Sequence, residues 1–100
     1  MEPLEGTPAQ VLIAPVARDA IRAIGSKADA KSVRRRLSIL PYVPEIGHVY
    51  DPVYEAARPP RDVLVTYAGH YGIYYVYDAD SNQISVEYIL DQRTDPTTRF

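Results

Sequence analysis

The sequence predicts an α+β fold: one N-terminal strand, a hairpin of two helices, and an antiparallel three-stranded meander packed against the helices. Apolar residues recur at helical spacing between residues 15 and 40. Three runs rich in β-branched and aromatic residues, separated by short polar turns, follow between residues 63 and 90. Because each helix must bury its apolar stripe, we expect the helical hairpin to lie on one face of the sheet.

The first half of the chain predicts one strand and two helices. Residues 10–14 are typical of a short strand, and Pro15 suits the first position of a helix, where its missing N–H is not needed. Gly25 fits the position just beyond the end of this helix, and Ser26 is a suitable N-cap for the next one. Pro41 is expected to end the second helix. The predicted buried face of that helix consists of Ala30, Val33, Leu37 and Leu40.

Residues 41–62 are expected to form a long proline-rich loop. Its apolar side chains indicate an ordered loop held against the domain rather than a disordered linker. These side chains are Tyr42, Val43, Ile46, Val49, Tyr50, Val53 and Tyr54. Residues 10–95 would form a single domain, preceded by a flexible N-terminus at 1–9 and followed by a tail at 96–100.

The strands predicted after the loop are 63–67, 71–77 and 84–90. In the middle strand, alternation places two sets of side chains on opposite faces of the sheet. One set is Tyr71, Ile73, Tyr75 and Tyr77, and the other is Gly72, Tyr74 and Val76.

The composition excludes several kinds of site. The absence of cysteine excludes disulfides, thiolate nucleophiles and cysteine-ligated zinc. His48 and His70 have no third ligand in a recognisable spacing, so neither a metal nor another cofactor is expected. No apolar run approaches the roughly 18 residues of a membrane helix, and the N-terminus does not resemble a signal peptide. We therefore expect a cytoplasmic protein that does not enter a membrane.

The charge is unevenly distributed along the chain. The 100 residues carry a net charge of −2, with a pI of about 5.6, so binding of nucleic acid by bulk positive charge is not indicated. Residues 1–50 hold seven Lys and Arg against five Asp and Glu, a net +2, whereas residues 51–100 hold four against eight, a net −4. The predicted meander is therefore acidic, and the basic residues lie upstream of it.

Four short motifs occur in a characteristic order. They are Ala14-Pro15 with Ala17, then Leu40-Pro41 with Pro44 and Gly47, then Tyr71-Gly-Ile-Tyr-Tyr75, and finally Arg93. With these motifs, residues 10–95 resemble the RelE/ParE superfamily of small toxins from bacterial type II toxin–antitoxin modules. The resemblance implies a growth-inhibiting toxin that is neutralised by a cognate antitoxin. Some members cleave messenger RNA on the ribosome with basic and aromatic residues on the groove face of the sheet, and others inhibit DNA gyrase.

Two departures from the superfamily leave open whether this protein is an enzyme. Gly72 stands where many nuclease members have an arginine, and residues 63–66 supply none of the lysines that usually line the groove. Loss of a preorganised cation beside a developing phosphorane costs on the order of several kcal/mol. If the protein is an enzyme, we expect an endoribonuclease with a rearranged site.

The candidate catalytic residues each have a plainer interpretation. Arg93 matches the arginine after the last strand of the superfamily and suits a phosphate or an antitoxin carboxylate, but it is also placed to pair with Asp91 or Asp95. His70 and Tyr71 fall at a hairpin turn, where a histidine is either an acid or base near neutral pH or a solvated turn residue. Tyr74, with Tyr88 behind it, is a candidate for stacking on RNA bases, although the tyrosines as a group are better explained as part of the core. Tyr75 is the expected core tyrosine.

Two groups of basic residues are candidates for binding nucleic acid. Arg58 and Arg61 flank a Pro-Pro pair that would hold them near the sheet, in place of the missing groove cations. Lys31, Arg34 and Arg35, with Lys27, share one face of the second helix at helical spacing. That face would meet ribosomal RNA or an acidic segment of an antitoxin, and the alternative for both groups is a solvated surface.

Overall fold

The computed structural model describes residues 7–52, 58–95 and Phe100. Within them the chain forms two helices and a five-stranded sheet, which confirms the predicted α+β class. The strands are β1 (Gln10–Ile13), β2 (His48–Val49), β3 (Leu64–Ala68), β4 (Tyr71–Asp78) and β5 (Gln83–Asp91). The helices are α1 (Pro15–Arg22) and α2 (Lys27–Ile39), and α2 continues into a 3-10 turn at Leu40–Tyr42.

The sheet has the order β1-β5-β4-β3-β2. The predicted meander forms its centre, with β3, β4 and β5 paired antiparallel. The N-terminal strand β1 joins the sheet in parallel beside β5, with Val11 opposite Ile84. The two-residue strand β2, which lies inside the predicted loop and was not expected, pairs with β3 at the opposite edge.

The helices cover one face of the sheet. Ala17 of α1 and Val33 of α2 are fully buried there against Ile73, Tyr75 and Ile84. The predicted alternation of β4 is confirmed, because Tyr71, Ile73, Tyr75 and Tyr77 all face this core. A bulge in β5 near Glu87 lets Ile84, Val86 and Ile89 reach the same core although their spacing is irregular.

The other face carries a second, smaller core. Tyr74 of β4 packs there with Val63 and Val65, and the cluster extends to Tyr50, Val76, Tyr88, Leu90 and Phe100. The ring of Phe100 meets the rings of Tyr74 and Tyr88 edge-on, at centroid distances of 5.4 Å and 4.8 Å. The face that carries Gly72, Tyr74 and Val76 is therefore largely apolar.

The helix termini are partly as predicted. Ser26 caps α2, since its Oγ accepts a hydrogen bond from the Asp29 N–H at 3.2 Å. Helix α1, however, ends at Arg22, and Ile24 rather than Gly25 follows its cap residue Ala23. The last carbonyls of α1 are satisfied by tight bonds from the N–H groups of Ala23 and Ile24, so no left-handed glycine is needed.

The long loop is held only partly as expected: Tyr50 packs in the second core, where its ring meets that of Tyr74 edge-on at a centroid distance of 5.0 Å. Tyr42, Val43, Ile46 and Val49 are exposed rather than packed on the domain, and Val53 and Tyr54 lie outside the described residues. A further contact comes from buried Tyr75, whose hydroxyl donates to the Pro44 carbonyl at 2.8 Å and accepts from the Gly47 N–H at 2.9 Å. Three residues before Pro44, the Pro41 carbonyl accepts a hydrogen bond from the backbone N–H of Ala9, which is buried.

Candidate functional site

Three of the four candidate catalytic residues meet at one end of the sheet. His70 lies in the β3–β4 turn, and Tyr71 begins β4 directly opposite Asp91 of β5. The segment after β5 folds back over the turn, because the Gln92 N–H donates to the His70 carbonyl at 2.7 Å. Arg93 follows at once, so an imidazole, a phenol and a guanidinium gather at this corner.

A buried carboxylate that sequence analysis did not single out completes the corner. The side chain of Asp29, on the first turn of α2, is only 7% exposed. Its Oδ2 and Oδ1 lie 3.0 Å and 3.2 Å from Nδ1 of His70, and Oδ1 also accepts the His70 backbone N–H at 3.2 Å. Two signals point to Asp29: it precedes Val33 by four residues and adjoins Ala30, so a carboxylate falls on the apolar face of the helix.

Gly69 allows this close approach. It has a φ of +59°, a conformation that favours glycine, and a β-carbon at this position would overlap Oδ1 of Asp29. The turn can therefore press its backbone against α2 only with glycine at position 69. His70, the next residue, is thereby directed at the carboxylate.

The charges around Asp29 stabilise its ionised form. The hydrogen bond from the His70 ring is the main cause that lowers the pKa of Asp29, with the backbone N–H of His70 and the charge of Arg93 adding to it. Burial acts in the opposite direction and is outweighed. The location near the N-terminus of α2 also favours a negative charge.

Arg93 forms the ion pair with Asp91 that the plainer interpretation anticipated. Its Nε and Nη2 lie 2.9 Å and 2.8 Å from the two carboxylate oxygens, and its backbone N–H donates to the same group. These contacts with Arg93 lower the pKa of Asp91 to about 2. Because Asp91 uses the Nε–Nη2 edge, the Nη1 side of the guanidinium remains directed away from it and can still meet an anion.

Tyr74 lies apart from this corner. Its side chain is fully buried in the second core, where its hydroxyl accepts a hydrogen bond from the Gln92 side-chain amide at 3.0 Å. That amide passes over Gly72: a β-carbon there would lie 2.6 Å from Gln92 Nε2. Gln92 thus fills the space beside the backbone of residue 72. An arginine at this position, as in many nucleases of the superfamily, would need that space for its side chain.

The candidate nucleic-acid residues fall into two kinds. Arg61 pairs with Glu87 at 2.6 Å and Arg58 pairs with Asp51 at 3.2 Å, so the charge of each arginine is partly neutralised by a carboxylate. On α2, by contrast, a shallow groove is lined by Lys27, Lys31, Arg34 and Arg35, together with Ala30 and Ser38. The structure therefore confirms that these four cations share one face.

Two kinds of site do not occur in the described parts of the chain. No three His, Cys, Asp or Glu side chains among residues 7–52, 58–95 and 100 come together in a way that could hold a metal ion. Over the same residues, neither helix is long and apolar enough to span a membrane.

Comparison with known proteins identifies the fold. No family model and no curated protein matches the sequence. Among solved structures, the chain is similar to one in the crystal structure of the archaeal RelE–RelB complex from Pyrococcus horikoshii OT3, with a TM-score of 0.62 and 18% sequence identity. The match covers 88% of this chain and 99% of the other. The predicted resemblance is confirmed at the level of structure, and the chain has the RelE fold.

Proposed function

We propose that this protein is the cytoplasmic toxin of a type II toxin–antitoxin module and is held inactive by a cognate antitoxin. The observation that carries the proposal is the structural match, which extends over nearly the whole of a chain crystallised as part of a RelE–RelB complex. Fold alone does not specify function. A toxin that is held by an antitoxin must also present a surface for its partner to cover.

Such a surface lies along the segment that leads from α2 to β2. Five apolar side chains there are between 40% and 67% exposed: Ile39, Tyr42, Val43, Ile46 and Val49. We call these five residues the apolar ridge. The ridge ends at the edge strand β2, whose outer backbone groups can pair with an added strand. An antitoxin segment that lies along the ridge and continues onto β2 would bury these side chains.

Inducible expression in bacteria tests this function directly. We expect growth arrest when the protein is expressed alone, and normal growth when the gene adjacent to its own is expressed with it. The two products should also purify together. In the double variant Tyr42→Ala/Val49→Asp, arrest should persist while co-purification and rescue are weakened. Normal growth in cells that contain folded protein at high level, without any antitoxin, would contradict the proposal.

A second candidate function, ribosome-dependent cleavage of messenger RNA, is favoured by the corner at the end of the sheet. An exposed imidazole and a guanidinium lie there, beside the helix that also carries the basic groove, so a phosphodiester could be held and attacked without the missing arginine at position 72. The alternative within the superfamily is inhibition of gyrase without catalysis.

RNA integrity and supercoiling distinguish the two mechanisms. Cleavage predicts truncated transcripts within minutes of induction and unchanged supercoiling by purified gyrase in the presence of excess protein. Intact transcripts together with inhibited supercoiling would support gyrase as the target and exclude the nuclease.

A further inference from the structure

We propose that His70 is the general base of an RNA-cleaving site and that Asp29 is its positioning residue, which holds the imidazole so that Nε2 faces a ribose 2′-hydroxyl. This inference deepens the second candidate function and rests on it. It assigns the chemistry to the corner between α2 and the β3–β4 turn. The apolar second face of the sheet would then have no catalytic part.

The geometry selects one tautomer of the ring. An ionised carboxylate only accepts hydrogen bonds, and both oxygens of Asp29 lie within 3.2 Å of Nδ1. Nδ1 must therefore carry the proton. In the neutral ring, Nε2 then has a free lone pair, which is the form that a base requires.

The two side chains of the Asp29–His70 pair differ in their exposure to solvent. The carboxylate of Asp29 is 7% exposed, whereas the side chain of His70 is 59% exposed. Within the described residues, Nε2 makes no hydrogen bond. A substrate can therefore reach Nε2 while water has little access to the carboxylate that orients the ring.

Two elements, α2 and the segment after β5, fix the direction of the ring. Asp29 is held in the capped first turn of α2, and its Oδ1 also binds the His70 backbone N–H. The carbonyl of His70 is bound by the segment after β5 through the Gln92 N–H. Because the backbone is held from both sides, the ring pays little ordering entropy when a substrate binds.

The reaction needs no metal or redox partner. Nε2 of His70 removes the proton of the 2′-hydroxyl, the 2′-oxygen bonds to the adjacent phosphorus, and the bond from phosphorus to the 5′-oxygen breaks. The leaving oxygen takes a proton from water, and His70 later returns its own proton to water. The products are a 2′,3′-cyclic phosphate and a 5′-hydroxyl. The Nη1 side of Arg93 would neutralise the phosphate in this step.

The competing interpretation is that Asp29 and His70 only clamp the hairpin onto α2. Two substitutions separate the roles, because the amides of Asn and Gln mimic different nitrogens of the ring. His70→Asn retains a donor near Nδ1 and loses Nε2, so it should preserve the clamp and abolish the base. His70→Gln places its amide near Nε2 and should weaken the clamp.

The tautomer is measured by ¹⁵N NMR of the purified full-length protein. We expect the neutral ring of wild-type His70 to be in the Nδ1–H form, and the Asp29→Asn variant to shift towards the Nε2–H form common in free histidine. Asp29→Glu, which keeps the charge, should restore part of the Nδ1–H population. The positioning role would be overturned if the wild-type ring showed no preference for the Nδ1–H tautomer. It would also be overturned if the spectrum of Asp29→Asn were the same as that of wild type.

Cleavage is measured on a defined messenger RNA in a reconstituted translation system. Wild type should yield fragments with 5′-hydroxyl ends, and a single 2′-deoxy substitution at the cut site should block that cut. His70→Asn should lower the rate by about 10²- to 10⁴-fold with unchanged thermal unfolding. His48→Asn, which alters an exposed histidine on β2, serves as the matched control and should cleave at the wild-type rate.

The outcomes distinguish a failure of the role given to His70 from a failure of the toxin function. Growth arrest without any cleavage by the wild-type protein would overturn this inference and leave the toxin function standing. Cleavage at the wild-type rate by folded His70→Asn would overturn it as well, while supporting the nuclease. Absence of growth arrest would count against the toxin function, and the assay of purified protein would still decide the role of His70.

Discussion

Gly72 lies opposite Leu90 in the β4–β5 ladder, and the side-chain amide of Gln92 occupies the space beside it. That amide donates to the Tyr74 hydroxyl at 3.0 Å and to the Leu90 carbonyl at 3.1 Å. Because residue 72 has no β-carbon, the Gln92 amide can occupy the space beside it and form these two hydrogen bonds. Restoring an arginine here would displace Gln92 before it could contribute a cation.

Gly72→Ala should lower the free energy of unfolding by about 1–3 kcal/mol, because the new β-carbon displaces Gln92 and crowds the Tyr74 ring. Urea denaturation measures the change. Gly25→Ala is the matched control, since a β-carbon there meets nothing within 4 Å, and it should change stability by less than about 1 kcal/mol. Equal losses in the two variants would contradict the role given to Gly72.

Tyr75→Phe should cost about 1–2 kcal/mol, because the hydroxyl is buried and bridges the Pro44 carbonyl and the Gly47 N–H. Burial of the same hydroxyl raises the pKa of Tyr75. Hydrogen exchange should show that the Gly47 amide loses protection more than the amides of β4. Tyr42→Phe, at a 64% exposed tyrosine of the same loop, is expected to leave both measurements unchanged.

Among the elements, α2 has two separate roles on different faces. Its inner face buries Val33 and presents Asp29 to the hairpin, while the adjoining face carries the groove of four cations. The spacing that places Lys27, Lys31 and Arg35 in one row is that of an ideal helix. We propose that this row binds a ligand with regularly spaced negative charges, such as an RNA backbone.

Lys31→Glu/Arg35→Glu should weaken binding to ribosomes by at least about tenfold and lower the salt dependence by about one unit of slope for each lost phosphate contact. Ribosome pelleting at two or more salt concentrations measures both quantities. Arg18→Glu/Arg22→Glu makes the same change in net charge on α1 and should have a much smaller effect. Equal weakening by the two double variants would indicate bulk charge rather than the groove.

In the molecule as a whole, the corner that joins α2, the β3–β4 turn and the segment after β5 is held by charged groups, so its stability depends on pH. The folded-state pKa values of Asp29 and Asp91 both lie below the ordinary value, with Asp91 at about 2. A carboxyl group with a lowered pKa stabilises the fold above its unfolded value. That contribution is lost as pH falls through the folded value.

The protein should therefore lose stability as pH falls from about 4 towards the pKa of about 2 of folded Asp91, because the unfolded chain takes up protons that Asp29 and Asp91 bind less readily in the folded state. Urea denaturation at several pH values in this range measures the loss. The Asp29→Asn variant should be less stable at pH 7 and show a shallower decline. Parallel curves for wild type and variant would show that Asp29 is not one of the groups responsible.

Local patterns were sufficient to predict much of the fold. The helical spacing of Ala30 and Val33, the cap at Ser26 and the alternation of β4 depend on residues a few positions apart, and the structure confirms each of them. The end of α1 was placed too late, because hydrogen bonds from Ala23 and Ile24 closed the helix before Gly25. Strand β2 was missed because two residues are too short to show a period.

For the candidate site, the sequence by itself determined the residue types available: two histidines, no cysteine, no arginine at position 72, and a basic face on α2. Only the tertiary structure decided that Asp29 meets His70 across 41 positions of sequence, and that Tyr74 is buried with Phe100 instead of lining a groove. The physical reason is that these contacts depend on how the sheet pairs and where α2 packs. The local sequence around a residue does not specify which distant group will pair with its charge or pack against its ring.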